Sequence, residues 1–226
     1  MLVEIPNMFS SEEAAAMRAR LEAADWQDGR VTAGHFATRV KANLQLADGD
    51  PLGAALGESI VQRLSSTPRF IAAALPRKLL PPRFNRYEGE GAYGRHVDSA
   101  IFTAPGTNER IRSDLSATLF LSEPDDYDGG ELVIETGLVS ERVKLPAGHL
   151  LVYPAGSVHQ VMPVTRGARF ASFFWIQSFV REEVRRSMLF DLDEAIQELA
   201  ARDPNAPEIV RLTGLYHNLL REWAEA

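Results

Sequence analysis

The chain has 226 residues, with 24 lysines and arginines against 31 aspartates and glutamates, a net charge of −7 and no cysteine. Near-average apolar and charged content marks a globular protein, and the acidic balance argues against nucleic acid as a partner, whose phosphates call for a basic face. Without cysteine there is no disulfide framework and no thiolate metal site, so any metal must be held by His, Asp or Glu.

The opening MLVEIPNMFSSEEAAAM lacks the basic segment, long apolar run and small-residue cleavage site of a secretory signal. No run of about eighteen apolar residues follows, so a cytoplasmic protein without a membrane span is expected. Ser10, with Glu13 three residues on and Ala14, Met17, Leu21 and Ala24 at helical spacing, predicts a capped helix ending near Asp25. A second helix is predicted over 51–66, with Pro51 suited to the first turn and Leu52, Leu56, Ile60, Val61 and Leu64 on one face. A shorter one follows over 69–75. Residues 1–77 are read as a helical support region packed outside a second body.

From 78 to 180 the texture changes to short β-branched and aromatic runs separated by Gly, Pro, Asn and Asp turns. Strands are predicted over 79–87, 93–97, 115–121, 131–135, 142–145, 150–153, 158–164 and 169–180. Asp128-Gly129-Gly130 and Pro146-Ala147-Gly148 are tight-turn signals between them. The eight-strand pattern predicts a jelly roll. Over 181–226 the period is helical again, with Val184, Met188, Leu192, Ile196 and Leu199 on one stripe and Ile209, Leu212, Leu215, Leu219 and Trp223 on another, broken at Asp203-Pro204-Asn205. Two such helices would cover the barrel or pair with a second copy, which leaves a homodimer open. The expected class is α+β with a mainly β core: a double-stranded β-helix, N-terminal helices outside it and two C-terminal helices.

The chemistry starts at Tyr93-Gly94-Arg95-His96-Val97-Asp98. Side chains two apart on a strand share a face, so the His96 imidazole and Asp98 carboxylate can converge on one metal. His159 opens a later strand, after the Pro154-Ala155-Gly156-Ser157 turn. Two histidines and one carboxylate with the other positions open is the ligand set of non-haem iron(II) oxygenases. A His-x-Asp triplet alone is common; the distal histidine strengthens it.

Arg169 lies ten residues after His159, at the start of the Phe-rich last strand, with no acidic residue near it in sequence. A buried guanidinium without a carboxylate is costly, and a ligand carboxylate such as the far end of 2-oxoglutarate would resolve it. The other reading places Arg169 in solvent at a strand end, or pairs it with Asp114 or Glu131.

The blocks Phe84-Asn85-Arg86-Tyr87, Gly91, Tyr93 to Asp98, Leu115 to Leu121, Tyr127-Asp128-Gly129-Gly130-Glu131-Leu132, Tyr153-Pro154 to His159, Val164 to Arg169 and Trp175-Ile176-Gln177-Ser178 resemble the bacterial PKHD-type hydroxylases, in the prolyl 4-hydroxylase-like branch of the iron and 2-oxoglutarate oxygenases. The likeness covers nearly the whole chain. It implies Fe(II) on His96, Asp98 and His159, 2-oxoglutarate as co-substrate on Arg169, dioxygen as oxidant, and L-ascorbate as a reductant that rescues over-oxidised iron. It implies hydroxylation with release of succinate and carbon dioxide, and a link of the bacterial branch to iron uptake. The target, small molecule or peptidyl residue, is not implied.

Tyr87 and Thr118 are expected as further donors to the co-substrate, and Tyr93 as a weaker candidate for the pocket lining. His149, His35 and His217 are expected to be structural or surface residues, and the run Arg181 to Arg186 a solvated first helical turn. The rival function is a jelly-roll iron carrier or sensor, or a cupin-like metal enzyme that uses no keto acid. Neither rival needs Arg169 in the barrel.

Overall fold

Residues 1–32 and 37–225 are described here, from a computed structural model. In chain order the strands and α-helices are β1 (Val3–Ile5), α1 (Ser11–Glu22), β2 (Gln27–Asp28), β3 (Lys41–Ala42), β4 (Leu44–Gln45), α2 (Pro51–Ser65), α3 (Pro68–Ala74) and β5 (Pro76–Leu79). There follow β6 (Arg83–Glu88), β7 (Gly91–His96), β8 (Ile101–Thr103), β9 (Arg110–Arg112), β10 (Leu115–Phe120), β11 (Asp128–Gly129) and β12 (Leu132–Thr136). The last are β13 (Val139–Val143), β14 (Leu150–Pro154), β15 (His159–Arg166), β16 (Ala168–Ser178), α4 (Glu183–Arg202) and α5 (Pro207–Trp223).

Two antiparallel sheets form the double-stranded β-helix. The larger runs β1-β14-β10-β16-β6-β4-β2, with β5 alongside β16; the smaller runs β13-β12-β15-β7-β3, with β11 alongside β15. β8 and β9 pair only with each other among the described residues. Alternation along the strands of the larger sheet explains the layering. Leu115, Ala117 and Leu119 of β10 and Phe170, Phe174 and Ile176 of β16 point one way and join Leu21, Leu56, Ile60 and Leu64 of the helices in one core. Each such fully buried side chain contributes about 1.5–3 kcal/mol, so this face fixes the N-terminal helices on the sheet. The other face looks at the smaller sheet, where Tyr87, Phe120 and Tyr153 meet Leu132, Ile134 and Val161 in a second core.

The helices begin where local chemistry directs. Ser10 accepts from the Glu13 N–H at 3.1 Å while Glu13 accepts from the Ser10 N–H at 2.8 Å, the reciprocal box expected from sequence. α1 ends at Glu22, a little before Asp25. Asp50 caps α2 through the Gly53 N–H at 2.8 Å, with Pro51 in the first turn.

The structure departs from expectation at several points. The run 79–87 is two strands, because Pro81 and Pro82 lack the N–H that a ladder requires. The strand expected over 142–145 lies at Val139–Val143, since the turn at Gly137 and Leu138 sets Thr136 opposite Val139. The N-terminal region supplies β1 to β4 as well as helices. On α4, Val184 and Met188 face outward, while Leu189 packs with Leu75 and Val180 against Tyr216, Leu219, Leu220 and Trp223. Nor is Arg186 part of a solvated turn. It is 2% exposed and donates to the carbonyls of Val180 and Arg181, each at 2.7 Å, in the segment that leads into α4. No helix of the described residues is long and apolar enough to cross a membrane.

A tight corner joins the two sheets. β15 belongs to the smaller sheet and β16 to the larger, and the single residue between them is Gly167, at φ +69°. A Cβ there would lie 2.1 Å from the Asp126 carbonyl oxygen. Gly167→Ala is therefore expected to destabilise the protein by about 1–3 kcal/mol, through strain at positive φ and a clash with rigid backbone. A urea midpoint equal to that of the parent would contradict this account of the corner.

Candidate functional site

β7 and β15 are neighbours in the smaller sheet, and their register sets His96 directly opposite His159. Opposed residues project to the same face, so the two rings meet, with centroids 4.2 Å apart. Asp98 follows two residues after His96, just beyond the end of β7, and its carboxylate returns to the same side. Each residue offers one ligand atom, and the three atoms lie within 4.8 Å of one another. His96 Nε2 is 4.0 Å from Asp98 Oδ1, and His159 Nε2 is 3.7 Å from Asp98 Oδ2.

The protein orients both rings. His96 Nδ1 is 2.8 Å from the Gly94 carbonyl, and His159 Nδ1 is 3.0 Å from that of Ser157. A carbonyl only accepts, so Nδ1 carries the proton and Nε2 turns a lone pair toward the common centre. Burial, then repulsion from His159, lowers the His96 pKa to about 4, which keeps its imidazole neutral, the ligating form, at neutral pH. Tyr93 stacks on His96 at 3.6 Å between centroids, and Tyr153 meets His159 edge-on at 5.3 Å.

Ser116 of β10 donates to Asp98 Oδ2 at 2.6 Å, holding the carboxylate from the opposite sheet. Such supporting bonds are typically worth about 10–100-fold in metal affinity. Ser116→Ala is expected to weaken iron(II) binding by about that factor while the melting temperature stays near the parent value. A chelator competition that returns an unchanged affinity would remove Ser116 from this role.

The ligand atoms open into a cavity of about 260 Å³ between the sheets. Register orders its wall by depth. Across β6 and β16, Arg83 pairs with Phe173, Asn85 with Ala171 and Tyr87 with Arg169, so Arg83 and Phe173 lie toward the mouth and Tyr87 and Arg169 at the base. Arg169 is 1% exposed, its guanidinium 5.1 Å from the Phe120 ring and 5.5 Å from that of Tyr87. Its Nε has no hydrogen-bond partner. The carboxylates that might have neutralised it are committed elsewhere: Asp114 to Arg112 at 2.6 Å and Glu131 to Arg142 at 3.5 Å. A buried cation with an unused donor suits a ligand acid group, and the His-Asp-His donors suit a divalent metal with open positions.

Tyr87 is fully buried, and burial, only partly offset by Arg169, pushes its phenol up to about 12, so it stays a donor. Thr118 lines the same cavity from β10, with its hydroxyl beside the Tyr153 phenol. His149 Nδ1 sits 2.9 Å from Glu4, and His217 lies on the surface against Tyr216, both outside the cavity. His35 lies outside the described residues.

Sequence reasoning missed Ser116, Tyr153, Asn43, Asn85 and Lys41, all of which line the cavity. A signal existed for some of them. Ser116 and Thr118 are polar at alternate positions of β10, a strand buried along its whole length, as are Asn85 and Tyr87 on β6.

The 2OG-Fe(II) oxygenase superfamily model matches residues 82–177, and the PKHD-type hydroxylase C-terminal domain matches residues 184–225. A PKHD-type hydroxylase of Parvibaculum lavamentivorans is 58% identical over 224 residues, 99% of each chain. The PKHD-type hydroxylase PiuC of Pseudomonas aeruginosa is 52% identical over 225 residues, 100% of each chain. Among solved structures, a Pseudomonas putida prolyl-4-hydroxylase superposes with TM-score 0.52 at 19% identity, covering 78% of this chain and 92% of that one. HygX from Streptomyces hygroscopicus, with nickel and 2-oxoglutarate bound, gives TM-score 0.53 at 16% identity over 80% of this chain and 84% of that one. The structural likenesses show the shared fold, and the sequence relatives, matched end to end, show the family: the chain belongs to the PKHD-type hydroxylases of the 2-oxoglutarate and iron(II) oxygenase superfamily.

Proposed function

We propose that His96, Asp98 and His159 hold the iron(II) of this hydroxylase and that Arg169 binds the far carboxylate of 2-oxoglutarate, helped by Tyr87 and Thr118. One observation carries the reading: three ligand atoms converge in the same cavity as a buried arginine that no carboxylate of the described residues neutralises. When bound, the metal supplies oxidation by dioxygen coupled to decarboxylation of 2-oxoglutarate, with release of succinate and carbon dioxide and hydroxylation of a substrate carbon. The chain's own residues do the rest. Two imidazole Nε2 atoms and one carboxylate set the ligand geometry, Ser116 fixes that carboxylate, and Arg169 fixes the orientation of the co-substrate at the base of the cavity. Aromatic walls from Tyr93 and Tyr153 exclude water from the ligand atoms. Ascorbate is assigned as the reductant that keeps the metal ferrous, on the family resemblance. The substrate enters from the mouth, where a small molecule or a peptidyl side chain could reach the metal.

Anaerobic addition of 2-oxoglutarate to the iron(II)-loaded protein is expected to produce a visible charge-transfer band, and admission of air to yield succinate. A protein that binds iron(II) but gives neither would be a carrier, a sensor or a cupin-like enzyme instead. The position of Arg169 speaks against those rivals, since none of them has use for a buried cation in the barrel.

A further inference from the structure

Two carboxamides in the cavity wall have no task in the site described so far. Asn43, in the one-residue gap between β3 and β4, and Asn85, in β6, line the same cavity as the metal ligands and are only 8% and 7% exposed. Pairing of β4 with β6 sets Gln45 opposite Asn85 and Leu44 opposite Arg86, which brings Asn43 level with Tyr87. Asn43 therefore sits at the base, beside the Tyr87 phenol, and Asn85 one step nearer the mouth. Among the described residues, neither polar atom of the Asn43 side chain has a hydrogen-bond partner, nor has the Asn85 oxygen. A buried amide group that gives up water without gaining a partner is costly, and native interiors leave few of them. A ligand that supplies the missing partners would resolve both.

The chain also fixes which atom of Asn43 faces the cavity. The Gly29 N–H donates to the Asn43 backbone carbonyl at 2.8 Å, and a Cβ at Gly29 would fall 1.9 Å from the Asn43 side-chain oxygen. That oxygen is thus turned against Gly29, which leaves the amide nitrogen toward Tyr87 and the cavity. A donor from Asn43 and an acceptor from Asn85 on one wall complement an amide, whose carbonyl accepts and whose N–H donates. The charged side chains of the wall have other engagements: Arg83 pairs with Asp48 at 2.8 Å, and Lys41 feels the carboxylates of Asp98 and Asp28. Toward the mouth, Phe102 stacks on Trp175 with centroids 4.2 Å apart, and Phe173 meets Trp175 edge-on at 5.6 Å. A flat apolar group gains most from such a surface.

We propose that the substrate is a small molecule with a neutral amide next to a flat apolar group, as in an aryl amide. The Asn43 amide nitrogen donates to its carbonyl, the Asn85 oxygen accepts from its N–H, and the apolar part lies against Phe102 and Trp175. This deepens the proposed hydroxylase function and rests on it. The two asparagines determine specificity and take no part in the oxidation.

The test uses the iron(II)- and 2-oxoglutarate-loaded enzyme under anaerobic conditions, with benzamide, acetophenone and benzoate as probes in equilibrium dialysis and the charge-transfer band followed in parallel. Acetophenone keeps the carbonyl and lacks the N–H; benzoate offers acceptors only. Benzamide is expected to bind about tenfold more tightly than either, with the band retained. Asn85→Leu should lower benzamide affinity about tenfold and leave acetophenone within about twofold, since only the amide has an N–H to lose. Asn43→Leu should weaken both by about tenfold, because both carbonyls accept from it, and Trp175→Leu should weaken both as well. Should a variant fail to fold, the comparison of probes on the unaltered enzyme still decides. Equal binding of benzamide and acetophenone, benzoate binding as tightly as benzamide, binding of none of the three, or loss of the band in Asn43→Leu protein would overturn the proposal, the last by giving Asn43 to the co-substrate. Absence of the band in the unaltered enzyme before any probe is present would instead sink the assignment of the metal ligands and Arg169, and this inference with it.

Discussion

Asp98→Ala protein is expected to fold normally, to retain no iron(II) after gel filtration and to form succinate at less than about a thousandth of the parent rate. The magnitude follows from what the side chain supplies. Among the three converging residues it is the only anion; without it two neutral imidazoles face a dication, and a loss of several kcal/mol in binding corresponds to about three or more powers of ten. The fold should survive because Asp98 lies past the end of β7, outside both apolar cores, and what it gives up to the larger sheet is chiefly the hydrogen bond from Ser116. His96→Ala should behave in the same way. Metal content, succinate yield and the circular dichroism melt test this together. Stoichiometric iron with undiminished turnover in a folded Asp98→Ala protein would refute the ligand assignment outright.

Arg169→Met is expected to push stability and co-substrate binding in opposite directions. In the protein without ligands, a guanidinium at 1% exposure with an unpartnered Nε is a cost, and a residue of similar length without charge removes it. Replacements of buried charges by apolar groups are commonly neutral or stabilising by about 1–4 kcal/mol, so the melting temperature of the metal-free variant should equal or exceed that of the parent. Affinity for 2-oxoglutarate, read from the charge-transfer band, should fall by about 2–3 kcal/mol, or about 30- to 150-fold, for the loss of a charge-assisted pair. The opposed signs are the diagnostic. A variant that melts well below the parent and binds 2-oxoglutarate as tightly would mean that Arg169 is a structural residue.

The parts of this design that were legible in sequence are those where periodicity had room to act. β10 and β16 are six and eleven residues long, and their apolar and aromatic runs marked them as strands without telling which residues share a face. The pair His96 and Asp98 is visible because a spacing of two on a strand is a statement about direction. The metal end and the arginine were linked only by a count of ten residues, and the reason for that count is structural: one strand of the smaller sheet, a glycine corner and the first turn of chain into the larger sheet. β2, β3 and β4 have two residues each, too few to show a period, so Lys41 and Asn43 entered the cavity unannounced. Arg186 was misread for a different reason. A charged residue in a charged run is normally solvated, whereas this one turns inward to the carbonyls of Val180 and Arg181 ahead of α4.

β1 closes the edge of the larger sheet by pairing Val3 with Val152 and Ile5 with Leu150. During synthesis, β1 therefore waits for a strand about 150 residues further along before it has a partner. Contacts this distant in sequence make loop closure slow and favour folding after, rather than during, translation. In the interval Val3 and Ile5 are exposed to other nascent chains, so slow refolding and a dependence on chaperones should accompany production of this enzyme.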